Sequence, residues 1–255
     1  MILAKIFNYQ SRHGTAETVR KIAFRLLESM GIKKLAAYEQ IQWEFEHRIC
    51  KYLKIGNDEI LSFYIIGAHE GREVRSLSRT FMNSHFTLFE PYPPYYTFLN
   101  KKFKKAGNFR IENLALSSQS GQLDFFQTNI DGSGSLFEPN SVAKRSYNMT
   151  VAEKINVEVI TLDYFVSNQR SISPDILWVD VQGHELEVFK GGIETLKTVK
   201  AIFVEVAAGY PVYQGQRRMD DLTQLLGENN FFLCGLGTDP INFTGNAIYL
   251  NEKYL

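Results

Sequence analysis

Nine residues, Gly237 to Gly245, separate the apolar run FFLCGL (231–236) from the apolar run NAIYLN (246–251). A crossover between parallel strands takes about a dozen residues or more and usually carries a helix. These nine are rich in Gly, Pro, Asp and Asn, the residues of turns. The last strand must therefore run antiparallel to the one before it. A chain ending in such a hairpin departs from the all-parallel arrangement that binds dinucleotides.

Upstream of the hairpin, from residue 61, short apolar runs alternate with helical stripes. LSFYII (61–66) breaks at Gly67 as a buried parallel strand should, and Val74, Leu77 and Phe81 then share a helix face. HFTLFE (85–90) is the next strand, and Pro93-Pro94 open a helix carrying Tyr95, Phe98, Leu99 and Phe103. FRIENLAL (109–116) alternates as a third strand, with QLDFFQT (122–128) as an additional one. The stretch 129–148 has no period and many turn formers, which predicts a long loop. VEVITL (157–162), ILWVDV (176–181) and AIFVEV (201–206) are further strands. Leu186, Phe189, Ile193 and Leu196 mark one helix, and Leu222, Leu225 and Leu226 another. The pattern is that of a doubly wound, mostly parallel α/β sheet.

The first 55 or so residues carry no strand pattern. Val19, Ile22, Ala23, Leu26, Leu27 and Met30 form one helical stripe after Gly14-Thr15, closed by Gly31. Ile41, Phe45, Ile49, Tyr52 and Leu53 form a second. Residues 1–56 thus read as a helical extension, docked on the core or offered to a second copy of the chain, and 57–255 as the core.

Composition narrows the class of function. The 28 Lys and Arg balance 28 Asp and Glu, so no overall basic field gathers nucleic acid or anionic membrane. No apolar run approaches the roughly 20 residues that cross a bilayer, and MILAKIFNYQSRH lacks the pattern of a signal peptide. Cys50 and Cys234 are too few for a disulfide framework or a zinc site. The expectation is a soluble, cytoplasmic protein without a metal site. The surplus is aromatic, with 19 Phe and 13 Tyr.

Three places carry candidate chemistry. Gly67 and Gly71 bracket the turn IIGAHEG (65–71), where glycine lets backbone approach a cofactor and turn into a helix. The spacing lacks the third glycine of a pyrophosphate fingerprint. Glu90 ends the second strand, 23 positions after Gly67, where a carboxylate accepts hydrogen bonds from ribose hydroxyls. Asp180 lies inside an apolar run, where an unpaired carboxylate is costly, at the strand end that faces a ligand cleft. His184 and Glu185 follow the Gly183 turn. Imidazole there is either a packing or surface group, or a base able to take a proton from a hydroxyl at neutral pH. Of the other histidines, His69 sits where a ligand reaches it.

From about residue 60 to the end, the chain resembles the FkbM-type methyltransferases. These are S-adenosylmethionine-dependent O-methyltransferases of polyketide, glycan and other small-molecule pathways. The resemblance rests on IIGAHEG for the family's DVGAN-x-G, LFEP (88–91), IENLALSS (111–118), TLDYF (161–165), WVDVQGHELEVFKGG (178–192), FVEV (203–206) and YPVYQGQ (210–216). It implies a class I methyltransferase-like sheet of seven strands and S-adenosylmethionine as cofactor. It also implies a carbohydrate or small-molecule acceptor, with neither nucleic acid nor membrane insertion. By position it implies Gly67, Ala68, His69 and Gly71 around the methionine part, Glu90 and Pro91 at the ribose, and Asp180 beneath the methyl group. Glu185 and Glu205 fall near the acceptor, which Ser135 and Tyr213 cover. Asp180 and His184 are the candidate bases, and Tyr92, Tyr95, Tyr210 and Tyr213 either stack on sugar faces or pack at the sheet edge. Two departures stand out. Ile65 occupies a position that usually carries an acid, and His184 replaces a small or aromatic residue. Ile65 leaves open a non-catalytic protein of the same fold with weakened cofactor binding. An NAD-dependent oxidoreductase is disfavoured by the glycine spacing and the hairpin.

Overall fold

The computed structural model describes residues 38–56, 59–168, 172–238 and 244–255. The continuous apolar runs form a seven-stranded sheet. In chain order its strands are β1 (Ser62–Ile66), β2 (His85–Phe89), β3 (Phe109–Glu112), β7 (Ile176–Val179), β8 (Ala201–Ala207), β9 (Phe231–Thr238) and β10 (Thr244–Asn251). The spatial order is β3-β2-β1-β7-β8-β10-β9. β1 pairs in parallel with β2 and β7, β2 with β3, and β7 with β8. β10 lies antiparallel to both β8 and β9, as the nine-residue connection requires. The strand order reverses between β1 and β7, the switch point at which open α/β sheets bind ligands beyond their strand ends.

FRIENLAL divides between two sheets. β3 stays in the main sheet, whereas β4 (Ala115–Leu116) joins a second, three-stranded sheet of order β4-β6-β5. Asn113 holds the corner, its amide donating to the Glu90 and Pro91 carbonyls at 2.9 and 3.0 Å. β5 (Gly121–Thr128) pairs antiparallel with β6 (Val151–Ile160), which begins six residues before the run VEVITL. The early half of β6 is exposed, so it shows no apolar signal.

The stretch expected to be a loop contains the helix α4 (Ser141–Tyr147). Its N-cap is Asn140, whose Oδ1 accepts from the Val142 and Ala143 amides at 2.8 and 3.1 Å. The single helix expected over Leu186–Leu196 is two, α6 (Glu185–Lys190) and α7 (Ile193–Leu196). The break falls at Gly191, where a Cβ would stand 2.1 Å from the Ser117 carbonyl oxygen. The other helices are α2 (Arg72–Thr80), α3 (Pro93–Phe103), α5 (Leu162–Asn168) and α8 (Met219–Glu228).

Apolar clusters cover both faces of the sheet. Alternate residues of β1 divide between them: Tyr64 and Ile66 face one, Phe63 and Ile65 the other. The second cluster includes α1 (Tyr38–Leu53), which buries Ile41, Phe45, Ile49 and Leu53. Phe45 meets Trp178 and Phe203 edge-on at 5.9 and 5.3 Å. The apolar stripe of α1 therefore faces the chain's own sheet. The helix expected over residues 15–30 lies outside the described residues.

Candidate active site

A cleft opens at the switch point, with about 570 Å³ of empty space including the part open to solvent. Its floor is the ends of β1, β2 and β7, and its roof is the segment after β5.

Gly67 sets the floor. It takes φ +84°, and a Cβ there would stand 1.8 Å from the Asp180 carbonyl oxygen. The Asp180 amide in turn donates to the Ile66 carbonyl at 2.9 Å. The glycine is needed first of all so that β1 and β7 can close together, and this contact fixes where Asp180 emerges. The second glycine has another task. Gly71 lies at φ +64° against α3, where a Cβ would meet Phe103 Cε2 at 2.9 Å and Leu99 Cδ2 at 3.0 Å. It does not line the cleft, nor does Ala68, which is fully buried.

Gly67, His69, Glu90, Pro91 and Asp180 do line it. Glu90 is 4% exposed, and its two oxygens accept one backbone amide each, from His69 at 2.7 Å and Tyr92 at 2.9 Å. Burial raises its pKa to about 7 despite those bonds. His69 turns outward with φ 46°, its Nε2 3.0 Å from Asp131 Oδ1. Asp131 also accepts from the Tyr95 hydroxyl at 2.6 Å, an arrangement that lowers its pKa. This trio ties the segment after β5 to the turn after β1, across the cleft mouth.

Gln182, which sequence reasoning passed over, organises the other end. Its backbone takes φ 54°, and its Nε2 donates to Asp180 Oδ1 and Glu205 Oε2, both at 2.7 Å. The Tyr213 hydroxyl lies 3.1 Å from its Oε1 and 3.0 Å from the Ser133 carbonyl. Asp180 and Glu205 thus flank one amide nitrogen, and burial pushes both pKa values up, that of Glu205 the further because the Asp180 and Glu185 carboxylates lie beside it. Glu185 is buried beside them. Its Oε1 accepts from the Gly183 and Val181 amides at 2.9 and 3.3 Å.

Two expected acceptor contacts are tied to the protein itself. Ser135 is 1% exposed, its hydroxyl donating to the Gln182 carbonyl at 2.8 Å and accepting from the Phe137 amide at 3.0 Å. Ser135 does line the cleft, but Tyr213 is packed behind it with Ala143 and Met149. Glu185 and Glu205 face a second depression on the far side of Gln182. Tyr95 lines the cleft, whereas Tyr92 stacks on Phe125 with ring centroids 5.9 Å apart.

His184 reaches the cleft as a buried, neutral imidazole. Its Nε2 lies 3.0 Å from the Ser117 hydroxyl, Phe137 packs edge-on at 4.6 Å, and burial lowers its pKa to about 4. Such a ring is a weak proton acceptor at neutral pH. Of the two readings left open by sequence, a packing group or a base, this environment favours a group that packs and hydrogen-bonds. Ser117, Gln127 and Asp131 also escaped the sequence reading, since lone polar residues at or beyond strand ends carry no pattern.

The raised pKa of Glu185, about 7 through burial, gives a stability prediction. The folded chain holds this proton more tightly than the unfolded chain does, so its contribution falls as pH rises from about 4.5 to about 7 and is level above. Glu185→Gln keeps the Oε1 acceptor and removes the titration. Between about pH 5 and pH 7.5 its Tm, read by circular dichroism, should fall less than that of wild type by about 4 °C or more, at about 2–4 °C per kcal/mol. Equal pH profiles would show that Glu185 does not titrate in this window.

With this geometry in hand, the comparisons decide the family. The profile described as Methyltransferase FkbM domain matches residues 66–233. The chain belongs to the FkbM methyltransferase family. The matched span begins at the end of β1 and takes in the cleft, Gln182 and both carboxylates of the pair. The 2-O-methyltransferase NoeI of Sinorhizobium fredii is 29% identical over 168 residues, 63% of this chain and 69% of that protein. The hexuronic acid methyltransferase AglP of Haloferax volcanii is 30% identical over 142 residues, 55% of this chain and 52% of that protein. The chain thus spans about half the length of the second relative. A solved FkbM methyltransferase from Methylobacillus flagellatus overlaps loosely, with a TM-score of 0.49 at 12% identity over 75% of this chain and 43% of that one. Among the described residues, no helix is long and apolar enough to cross a membrane.

Proposed function

We propose that this FkbM methyltransferase transfers a methyl group from S-adenosylmethionine to a hydroxyl of a glycan. The observation that carries the reading is the Asp180–Glu205 pair, held by Gln182 at the end of the cleft. The cleft also suits the cofactor. Gln127 Oε1 and His184 Nδ1, both buried and both on residues that line it, have no hydrogen-bond partner among the described residues. Glu90, with one backbone donor on each oxygen, keeps lone pairs for ribose hydroxyls. Ile65 is fully buried in the apolar cluster on the α1 side, so the acid missing there changes packing and not the cleft wall. The glycan acceptor follows the two relatives named above.

The cofactor, when bound, supplies an electrophilic methyl group and takes the electron pair of the breaking carbon–sulfur bond on its sulfur. The protein's part is alignment and proton transfer. Gly67 and the β1–β7 contact fix Asp180, and Gln182 fixes its carboxylate against Glu205. Burial keeps the proton affinity of Asp180 above that of an exposed carboxylate, so it can hold the hydroxyl proton at neutral pH. The His69–Asp131–Tyr95 trio and Ser135 hold the roof over the reacting atoms, which restricts water. Calorimetric titration tests the cofactor assignment: one equivalent of S-adenosylmethionine should bind and NAD should give no heat. Heat with NAD and none with S-adenosylmethionine would overturn it.

A further inference from the structure

Gln182 is held at two points by residues that touch neither carboxylate. Its backbone takes φ 54°, a left-handed conformation uncommon outside glycine. The buried Ser135 hydroxyl holds it there, donating to the Gln182 carbonyl at 2.8 Å. The side chain is fully paired. Both N–H groups of Nε2 are used, on Asp180 Oδ1 and Glu205 Oε2, while Oε1 lies 3.1 Å from the Tyr213 hydroxyl. Tyr213 is placed independently of that contact. Its ring is 3% exposed and rests on the Gly183 turn, where a Cβ would meet Cδ2 at 3.0 Å. Its amide donates to Gln216 Oε1 at 3.3 Å, and its hydroxyl also donates to the Ser133 carbonyl at 3.0 Å. The phenol is a fixed donor, and the amide turns to meet it.

From this chain of contacts we infer that Tyr213 and Ser135 are positioning residues: together they hold the Gln182 amide with its nitrogen toward Asp180 and Glu205. Its meaning for catalysis rests on the methyl-transfer reading. Without the phenol, Oε1 is a buried acceptor that has lost its partner, and the side chain turns to find another, taking its N–H groups off the carboxylates. Donation to Oε1 also polarises the amide and strengthens those N–H donors. Hydrogen bonds to an ionised carboxylate favour the ionised form, so both effects keep Asp180 ready to accept a proton. The other titratable groups around Asp180 are His69 from the turn after β1, Glu73 from α2, Glu185 from α6 and Glu205 from β8. His69 lowers the proton affinity of Asp180, and Asp180 raises that of the three acids. None of these groups accounts for the Gln182 backbone conformation or for the pairing of its Oε1.

The test reads the Asp180 carboxylate directly. The whole chain is isotopically labelled at its side-chain carboxyl carbons, the Asp180 resonance is assigned by its loss in Asp180→Asn, and its titration is followed by NMR. In Tyr213→Phe the midpoint should rise by about 1 pH unit, a tenfold gain in proton affinity, as expected when a hydrogen bond to a charged group is weakened. In a Gln182→Met background, where no amide is left to position, Tyr213→Phe should add nothing. Ser135→Ala frees the same residue from its backbone side and should move the midpoint the same way; it serves as the test where Tyr213→Phe does not fold. An unchanged midpoint in folded Tyr213→Phe, or in Ser135→Ala where it stands alone, would overturn the inference. So would an equal rise with and without Gln182, which would mean that Tyr213 acts on Asp180 directly. S-adenosylhomocysteine is titrated onto the wild type by calorimetry in parallel. Failure to bind it, with the midpoint rise in Tyr213→Phe intact, would overturn the methyl-transfer reading alone.

Discussion

Asp180→Asn is expected to lower kcat by about two to four orders of magnitude, the usual contribution of a positioned acid–base group. Asparagine keeps an oxygen to accept from Gln182 and gains an amide that can donate to Glu205, so the 2.7 Å contacts that organise the bridge should survive. Only proton acceptance is removed. Affinity for S-adenosylmethionine should stay within about threefold of wild type, because the proposed function assigns the ribose to Glu90 and not to Asp180. The pH profile is a second readout. Burial raises the pKa of Asp180, so wild-type kcat should climb with pH as the carboxylate ionises. The variant's residual rate should lose that limb. An Asp180→Asn enzyme with wild-type kcat at saturating acceptor would remove the base from the mechanism.

Gly67→Ala is expected to destabilise the fold by about 4 kcal/mol or more, since it combines overpacking with backbone strain. The added Cβ would sit 1.8 Å from the Asp180 carbonyl oxygen at φ +84°, and the obstacle is main chain on a central strand pair. β1 and β7 would have to separate, and Asp180 would move with them. Gly71→Ala provides the contrast. Its new Cβ meets the side chains of Phe103 and Leu99 at 2.9 and 3.0 Å, and side chains can give way. It should cost about half as much, mainly as backbone strain. Thermal melts of both variants decide the matter. A Gly67→Ala protein as stable as Gly71→Ala would show that the strand contact is not what the glycine serves.

How far this site was legible depends on the kind of signal each part leaves. Buried parallel strands write themselves as apolar runs, so β1, β2, β7, β8 and the final hairpin were readable with little error. The hairpin direction followed from chain length alone. Elements that lean on local polar chemistry were not: α4 depends on the cap at Asn140, and β6 emerges onto the surface where alternation disappears. Asp180 and Glu90 were legible because a carboxylate at the end of an apolar strand demands a reason. Gln182 was not, because an uncharged side chain in a turn demands none. Its importance comes from two carboxylates brought together from strands whose sequence positions are 25 apart, Asp180 and Glu205. His184 stood open between a packing group and a base on residue type, and only its burial, which lowers its pKa to about 4, shows it to be a weaker proton acceptor than a free imidazole.

The most direct test of the account is transfer itself. The chain is incubated with S-adenosylmethionine carrying a trideuterated methyl group and a mixture of acidic and neutral oligosaccharides, and the products are analysed by tandem mass spectrometry. The expected result is the label on a hydroxyl oxygen of a sugar, in proportion to S-adenosylhomocysteine formed, and accumulating about two to four orders of magnitude more slowly with Asp180→Asn. Label on nitrogen or carbon, or no labelled sugar from a chain that binds the cofactor, would contradict it.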